Sequence, residues 1–174
     1  MGSTVVLTDT VDLGRLVAVY AKVHAADLHL TDHRDPSVED RLRWTAEAPG
    51  FAAAVAYVGD ELAGAFMGCP LPADTLWWRD LTSADDPDLT REWTGRTFGL
   101  CEAFVSPEHR RHRLGLRMIT QLLLSRPEER VSMAVAETNT RVWGALQSMR
   151  FRHVGDLVPF DGWRSHRMLV RGLR

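Results

Sequence analysis

From Leu100 to Leu124 the chain reads LCEAFVSPEHRRHRLGLRMITQLLL: an apolar strand-like run, a loop crowded with Arg and His, and a segment whose Leu116, Ile119, Leu122 and Leu123 recur at helical spacing. This order restricts the fold more than any other stretch. It sets the unpaired N–H groups of a first helical turn, and the positive end of the helix dipole, beside a basic loop. A phosphate suits such a junction. Arg110, Arg111, His112, Arg113 and Arg117 add side-chain charge, and Gly115 lets a ligand approach the backbone with no Cβ in the way. The loop is neither GxxxxGK[ST] nor GxGxxG. A solvated basic face would explain the same residues without any ligand.

With 174 residues and 45% hydrophobic content, one sizeable core is expected, and the whole chain, 1–174, reads as a single domain. The formal charge of −2 offers no general attraction to nucleic acid, which makes the basic run a local site or patch. Cys69 and Cys101 lack metal-ligand spacing and sit in apolar runs, as reduced, buried thiols of a cytoplasmic protein would. The opening MGSTVVLTDT lacks the features of a signal peptide, and no run approaches the length of a membrane span. His24, His29 and His33 are spaced too irregularly to define a metal site, and none is assigned.

In chain order, Thr4 to Leu7 is a short strand, and Thr10 offers a cap for a helix from Val11 to His24, with Leu13, Leu16, Val17, Tyr20 and Val23 on one face. Thr31 to Pro36 interrupts it, and a second helix runs from Ser37 to Ala48. Phe51 to Val58 and Leu62 to Cys69, separated by Gly59-Asp60-Glu61, form a hairpin. Pro72 to Arg96 is a long loop or a short irregular helix. Its Asp74, Asp80, Asp85, Asp86, Asp88 and Glu92 lie among Trp77, Trp78 and Trp93, so it either attracts and covers a cationic amine or folds its Trp residues into the core. A central strand, Phe98 to Val105, a helix, Leu114 to Leu124, a strand, Val131 to Ala136, and a helix, Thr140 to Met149, follow. Two final strands, Phe151 to Leu157 and His166 to Val170, complete an α/β pattern with a mixed sheet.

Arg110 to Gly115 resembles the coenzyme A signature of the GNAT acetyltransferases, [Q/R]-x-x-G-x-[G/A], with Arg113 in place of the middle glycine. Ala134 to Asp156, AVAETNTRVWGALQSMRFRHVGD, is similar to the family's next strand and helix. Asn139 and Phe151 fall in place there, Leu146 stands where the family carries a Tyr, and Arg150 replaces the Gly before Phe151. The resemblance implies a GNAT fold: a mixed central sheet of about seven strands, splayed at an acetyl-CoA groove and flanked by about four helices.

It also implies acetyl-CoA as co-substrate. Its pantetheine arm would lie along the backbone of Ala103, Phe104 and Val105 and reach Asn139, whose plainer reading is a helix cap. Its pyrophosphate would rest on the main chain from Arg111 to Leu116, spanning His112, Arg113, Leu114 and Gly115, with Arg110 opening the motif. Arg113 either lies in ordinary helix, or the loop is remodelled, since a non-glycine residue at positive φ costs about 1–2 kcal/mol.

The acceptor amine must lose a proton before attack, and Glu102 is the first candidate for that base, as an acidic residue at this place in the strand resembles what polyamine-type members of the family carry. In a regular strand it shares a face with Phe104, opposite Cys101 and Ala103; a bulge would change this. Glu137 is the runner-up. Leu146 cannot protonate the departing thiol, although a thiol of pKa near ~8.5 can leave as thiolate.

The expected activity is acetyl transfer to a primary amine of a small molecule, by direct attack in a ternary complex, without metal, nucleic acid or membrane; a homodimer is left open. The rivals are a catalytically weak acyl-CoA-binding module and an acetyltransferase acting on a protein or peptide amine. Nucleic-acid binding through RRHRLGLR explains only the basic run.

Overall fold

The computed structural model describes residues 2–82 and 86–174; Asp85 and the side chains of Arg111 and His112 lie outside the described part. Seven strands form one mixed sheet in the order β1-β2-β3-β4-β5-β7-β6. They are β1 (Ser3–Thr8), β2 (Ala52–Val58), β3 (Glu61–Pro70), β4 (Thr97–Val105), β5 (Arg130–Ala136), β6 (Arg152–Leu157) and β7 (His166–Gly172). Five α-helices accompany them: α1 (Leu13–Val23), α2 (Val38–Glu47), α3 (Pro87–Thr90), α4 (Leu114–Leu124) and α5 (Thr140–Ser148). The α/β pattern is therefore as expected, with α3 the short helix inside the segment that admitted either loop or helix. Contacts divide the chain into two compact units, Met1–Cys69 with Leu100–Arg126, and Pro70–Gly99 with Pro127–Arg174.

In the first unit, β1 pairs antiparallel with β2 from Ser3↔Val58 to Thr8↔Ala53, and β2 with β3 through the Gly59-Asp60 turn. Asp12, not Thr10, caps α1: its Oδ1 accepts the Arg15 N–H at 3.0 Å, while the Thr8 and Thr10 side chains bond locally. Asp12 wins because it stands one position before the first helical residue, within reach of the third N–H of the helix. Ser37 caps α2 through the Asp40 N–H at 3.1 Å. Leu16 and Tyr20 of α1 and Leu42 of α2 are buried against Val55, Met67 and Phe104 of the sheet. Across from Phe104, β3 has Gly64, where an added Cβ would lie 2.4 Å from the Phe104 carbonyl oxygen, so a side chain there would push β4 away.

In the second unit, β4 and β5 run parallel from Thr97↔Arg130 to Gly99↔Ser132, while β7 lies antiparallel to both β5 and β6. Trp78 is buried with Leu71, Leu157 and Met168. The buried Glu92 Oε1 accepts the Trp78 indole N–H at 2.9 Å, the Thr97 hydroxyl at 2.8 Å and an Arg130 N–H at 2.7 Å. Trp77 donates to Ser132 Oγ at 2.9 Å, and Trp93 carries the Arg96 guanidinium over its ring at 4.1 Å. Trp78 is thus packed into the core and Trp77 beside it, Trp93 stays exposed, and Glu92 is a structural carboxylate.

Helix α5 ends in a Schellman arrangement: the Phe151 N–H bonds the Leu146 carbonyl at 3.0 Å and the Arg150 N–H bonds the Gln147 carbonyl at 2.9 Å. That ending needs a left-handed residue, and Arg150 supplies it at φ 66° where glycine would be unstrained. Arg150→Gly is expected to stabilise the protein by about 0.5–1 kcal/mol, the relieved strain less the entropy glycine adds to the unfolded chain. A raised urea midpoint at constant m-value is the readout; an unchanged or lower midpoint would refute it.

Candidate active site

Glu102 stands on β4 and faces α2. Its Oε1 accepts the Arg41 Nε–H at 2.8 Å, with the two side chains only 14% and 8% exposed. The regular alternation of β4 does not hold here. Between the bonds Leu71 N–H to Thr97 O and Ser106 N–H to Ala63 O, β4 uses one more residue than β3, the mark of a bulge. Cys101 accordingly bonds the Thr45 side chain while Glu102 meets Arg41, so both neighbours address α2. Phe104 packs under Tyr20 of α1, ring centroids 5.6 Å apart and nearly perpendicular.

Arg41 is held from several directions. Its Nη1 donates to the Pro36 carbonyl at 2.9 Å and toward the Asp32 carbonyl at 3.4 Å, and its Nη2 donates to the Tyr20 hydroxyl at 2.9 Å. The same hydroxyl shares a hydrogen bond with His33 Nδ1, 2.7 Å away, whose direction the imidazole tautomer sets. Burial, aided by the Glu102 charge, pushes the Tyr20 phenol up to about 12, so it stays protonated. Burial also raises the Glu102 carboxyl above its usual range, with Arg41 opposing but not cancelling the shift. A raised carboxyl is better matched to accepting a proton near neutrality. Oε2 of Glu102 has no hydrogen-bond donor among the described residues.

The basic loop is a 3-10 helix, Pro107–His112, leading into α4. Arg113 sits between them at φ 53°, ψ 23°, so the ordinary-helix alternative fails: the residue adopts the left-handed turn that glycine would take. Its carbonyl accepts the Arg117 N–H at 3.0 Å and begins α4. Asp12, Ser37 and Asn139 cap α1, α2 and α5 with side-chain oxygens, but α4 has no side-chain cap. The N–H groups of Leu114, Gly115 and Leu116 therefore open the helix without an acceptor among the described residues. A Cβ on Gly115 would meet only Phe66 and Val105, both at 3.7 Å, so packing does not require glycine there.

Not every basic residue joins this turn. Arg117 is tied to Ser3, donating to its Oγ at 2.6 Å and its carbonyl at 3.2 Å, and Arg110 Nε points back to the Val105 carbonyl at 3.4 Å. Asn139 is the cap its plainer reading predicts, accepting the Val142 N–H at 3.4 Å. Leu146 is the buried anchor of α5. No cluster of His, Cys, Asp and Glu among the described residues could hold a metal, and no described helix is long and apolar enough to cross a membrane.

Sequence reasoning missed Arg41, Tyr20 and His33. Tyr20 was indistinguishable from an apolar position of α1, and His33 from an isolated loop residue. A partial signal lay in Arg41, a charged residue beside Leu42 on the inward side of α2.

Sequence comparison matches the Acetyltransferase (GNAT) family over residues 20–151. Similar solved structures include the ribosomal-protein-S18-alanine N-acetyltransferase of Escherichia coli, 13% identical, covering 99% of this chain and 94% of that one with TM-score 0.68. A probable acetyltransferase of Staphylococcus epidermidis is 12% identical, covering 98% and 99%, with TM-score 0.70. Aminoglycoside 6'-acetyltransferase type Ii is 13% identical, covering 97% of each chain, with TM-score 0.64. No curated protein matches the sequence significantly. The chain belongs to the GNAT acetyltransferase family, a class of enzymes that use acetyl-CoA as co-substrate.

The His24 ring lies 4.3 Å from Tyr20 and 4.4 Å from His33. Burial, reinforced by His33 and by the more distant Arg41 and Arg110 and only partly offset by Asp27, lowers its pKa from 6.5 to about 4. Between those values the unfolded chain binds more protons at this site than the folded one, so folding stability falls as pH drops through the window. The thermal midpoint is expected to decline from pH 6.5 toward 4, and less steeply in His24→Phe. Equal slopes in the two proteins would remove His24 as a cause.

Proposed function

We propose that this enzyme transfers the acetyl group of acetyl-CoA to a primary amine of a small molecule, by direct attack in a ternary complex. The observation that carries the reading is Glu102: a buried carboxylate with one oxygen held by Arg41 and the other without a donor among the described residues. In the proposed step Oε2 takes a proton from the acceptor nitrogen, whose freed lone pair attacks the thioester carbonyl carbon. The N–C bond forms, the tetrahedral adduct gives its remaining extra N–H proton to water, the C–S bond breaks, and sulfur departs as thiolate or takes a proton from solvent, because Leu146 has no hydroxyl to give. The low exposure of Glu102 favours a slim amine.

The CoA pyrophosphate is assigned to the main-chain N–H groups that begin with Arg111 and run through His112, Arg113, Leu114, Gly115 and Leu116. The missing side-chain cap on α4 supports this, since such a helix start suits an anion. The backbone of Ala103, Phe104 and Val105 is assigned to the pantetheine arm.

Thiol release from acetyl-CoA, followed against spermidine, phenethylamine, glycinamide and an alanyl tripeptide, tests the activity. Turnover of the tripeptide alone would favour a protein or peptide acceptor. Tight CoA binding with no turnover would favour an acyl-CoA-binding module, for which Leu146 is the supporting residue. Glu102→Gln is expected to lower kcat by about 10²–10⁴-fold while calorimetric CoA affinity stays unchanged.

Gly115→Ala separates ligand approach from folding. It is expected to leave the protein as stable or about 0.5–1 kcal/mol more so, because alanine is the better helix former, yet to weaken CoA binding about tenfold or more, a loss of roughly 1.4 kcal/mol. Unchanged affinity would move the pyrophosphate away from α4.

A further inference from the structure

The basic member of the Glu102 pair is built into the fold more firmly than an incidental ion pair requires. Arg41 is only 7% exposed. Three segments restrain its guanidinium: the Pro36 and Asp32 carbonyls before α2, the Tyr20 hydroxyl on α1, and Glu102 on β4. Tyr20 is fixed in turn, by His33 through its hydroxyl and by Phe104 beneath its ring. An arginine in that setting has no freedom to follow a moving carboxylate; the carboxylate must conform to the arginine.

Resting on the reading of Glu102 as the base, we propose that Arg41 is a positioning residue for acetyl transfer, a clamp on Oε1 of Glu102 that leaves Oε2 as the oxygen that takes the acceptor's proton. A buried carboxylate that can rotate presents either oxygen. One held by a planar, multiply anchored guanidinium presents the same oxygen in every turnover, and a correctly placed group is worth far more than a mobile one.

The clamp also opposes the rise that burial gives the Glu102 carboxyl. The other titratable and charged groups around the pair are Tyr20 on α1, Cys101 on β4, and Asp32 and His33 between α1 and α2. Tyr20 is pushed up to about 12 by burial and the Glu102 charge, and Cys101 is pushed well above the ordinary thiol range, first by its bond to Cys69 and then by burial. Arg41 is the cation that limits that rise in Glu102, through its charge and its hydrogen bond.

The test pairs kinetics with a titration that needs no acceptor. Glu102 protonation is followed by NMR in protein carrying ¹³C-labelled glutamate carboxyls, with Glu102→Gln identifying the signal. The pH profile of kcat/KM is measured with acetyl-CoA and the fastest of the four acceptors named above. In Arg41→Gln both the Glu102 midpoint and the acid limb are expected to rise by about 1–3 pH units, the effect of removing a neighbouring opposite charge. At a pH below the limb, each unit is a tenfold loss of kcat/KM. Arg41→Lys, which keeps the charge but not the fork, is expected to return the limb to within about half a unit of wild type while plateau kcat stays depressed.

Should Arg41→Gln fail to fold, Arg41→Lys and Tyr20→Phe carry the test, the latter expected to lower plateau kcat with CoA affinity unchanged. Wild-type plateau kcat in both of these folded variants overturns the proposal, as does an unmoved limb and midpoint in folded Arg41→Gln. If the limb survives in Glu102→Gln, the base reading falls and the clamp with it. If it vanishes in Glu102→Gln but does not move in Arg41→Gln, the clamp alone falls.

Discussion

Taking a carboxylate out of water costs several kcal/mol unless a cation and hydrogen bonds meet it, and the arrangement of α1, α2 and β4 follows from how Glu102 meets that cost. Arg41 supplies the cation, but its guanidinium then needs acceptors for its remaining N–H groups. They come from the Pro36 and Asp32 carbonyls and the Tyr20 hydroxyl, which draws in His33. One buried charge on the sheet thus organises the approach to α2 and the inner face of α1. Such a network stabilises little in net terms, but losing one partner strands another in a dry environment. It makes the geometry of Glu102 reproducible, which a proton acceptor needs.

The start of α4 follows the opposite rule. Elsewhere the helices close their first turn with their own side chains, Asp12, Ser37 and Asn139. At α4 the chain instead uses a left-handed arginine and leaves the turn open, accepting about 1–2 kcal/mol of backbone strain at Arg113. Arg117, counted from sequence with the anion-binding charge, is spent on Ser3. Arg117 therefore adds less to the positive character of the turn than its place in the run of arginines suggests.

Element type and order were largely legible in the sequence, because each depends on local rules. Alternation and the Gly59-Asp60 turn mark the β2–β3 hairpin, and the period of Leu116, Ile119 and Leu123 marks α4. The cap of α1 was misread as Thr10 because Thr and Asp are both good caps, and only the first helical φ/ψ pair tells which is in reach. Within the site, Glu102 and the Arg113 departure were visible as residue types at motif positions. The partners of Glu102 were not, since Arg41 is 61 residues away and Tyr20 sits on a third element.

Strand and helix periods, turn chemistry and the paired Arg110–Gly115 and Asn139–Phe151 segments, all set by neighbours within a few residues, sufficed for the α/β class and the family resemblance. Tertiary structure alone decided that β4 bulges so that Cys101 and Glu102 address the same helix. It also decided that Trp77 and Trp78 pack within the fold, and that a salt bridge holds the candidate base. Those outcomes depend on register and burial between segments far apart in the chain, quantities that local composition does not encode.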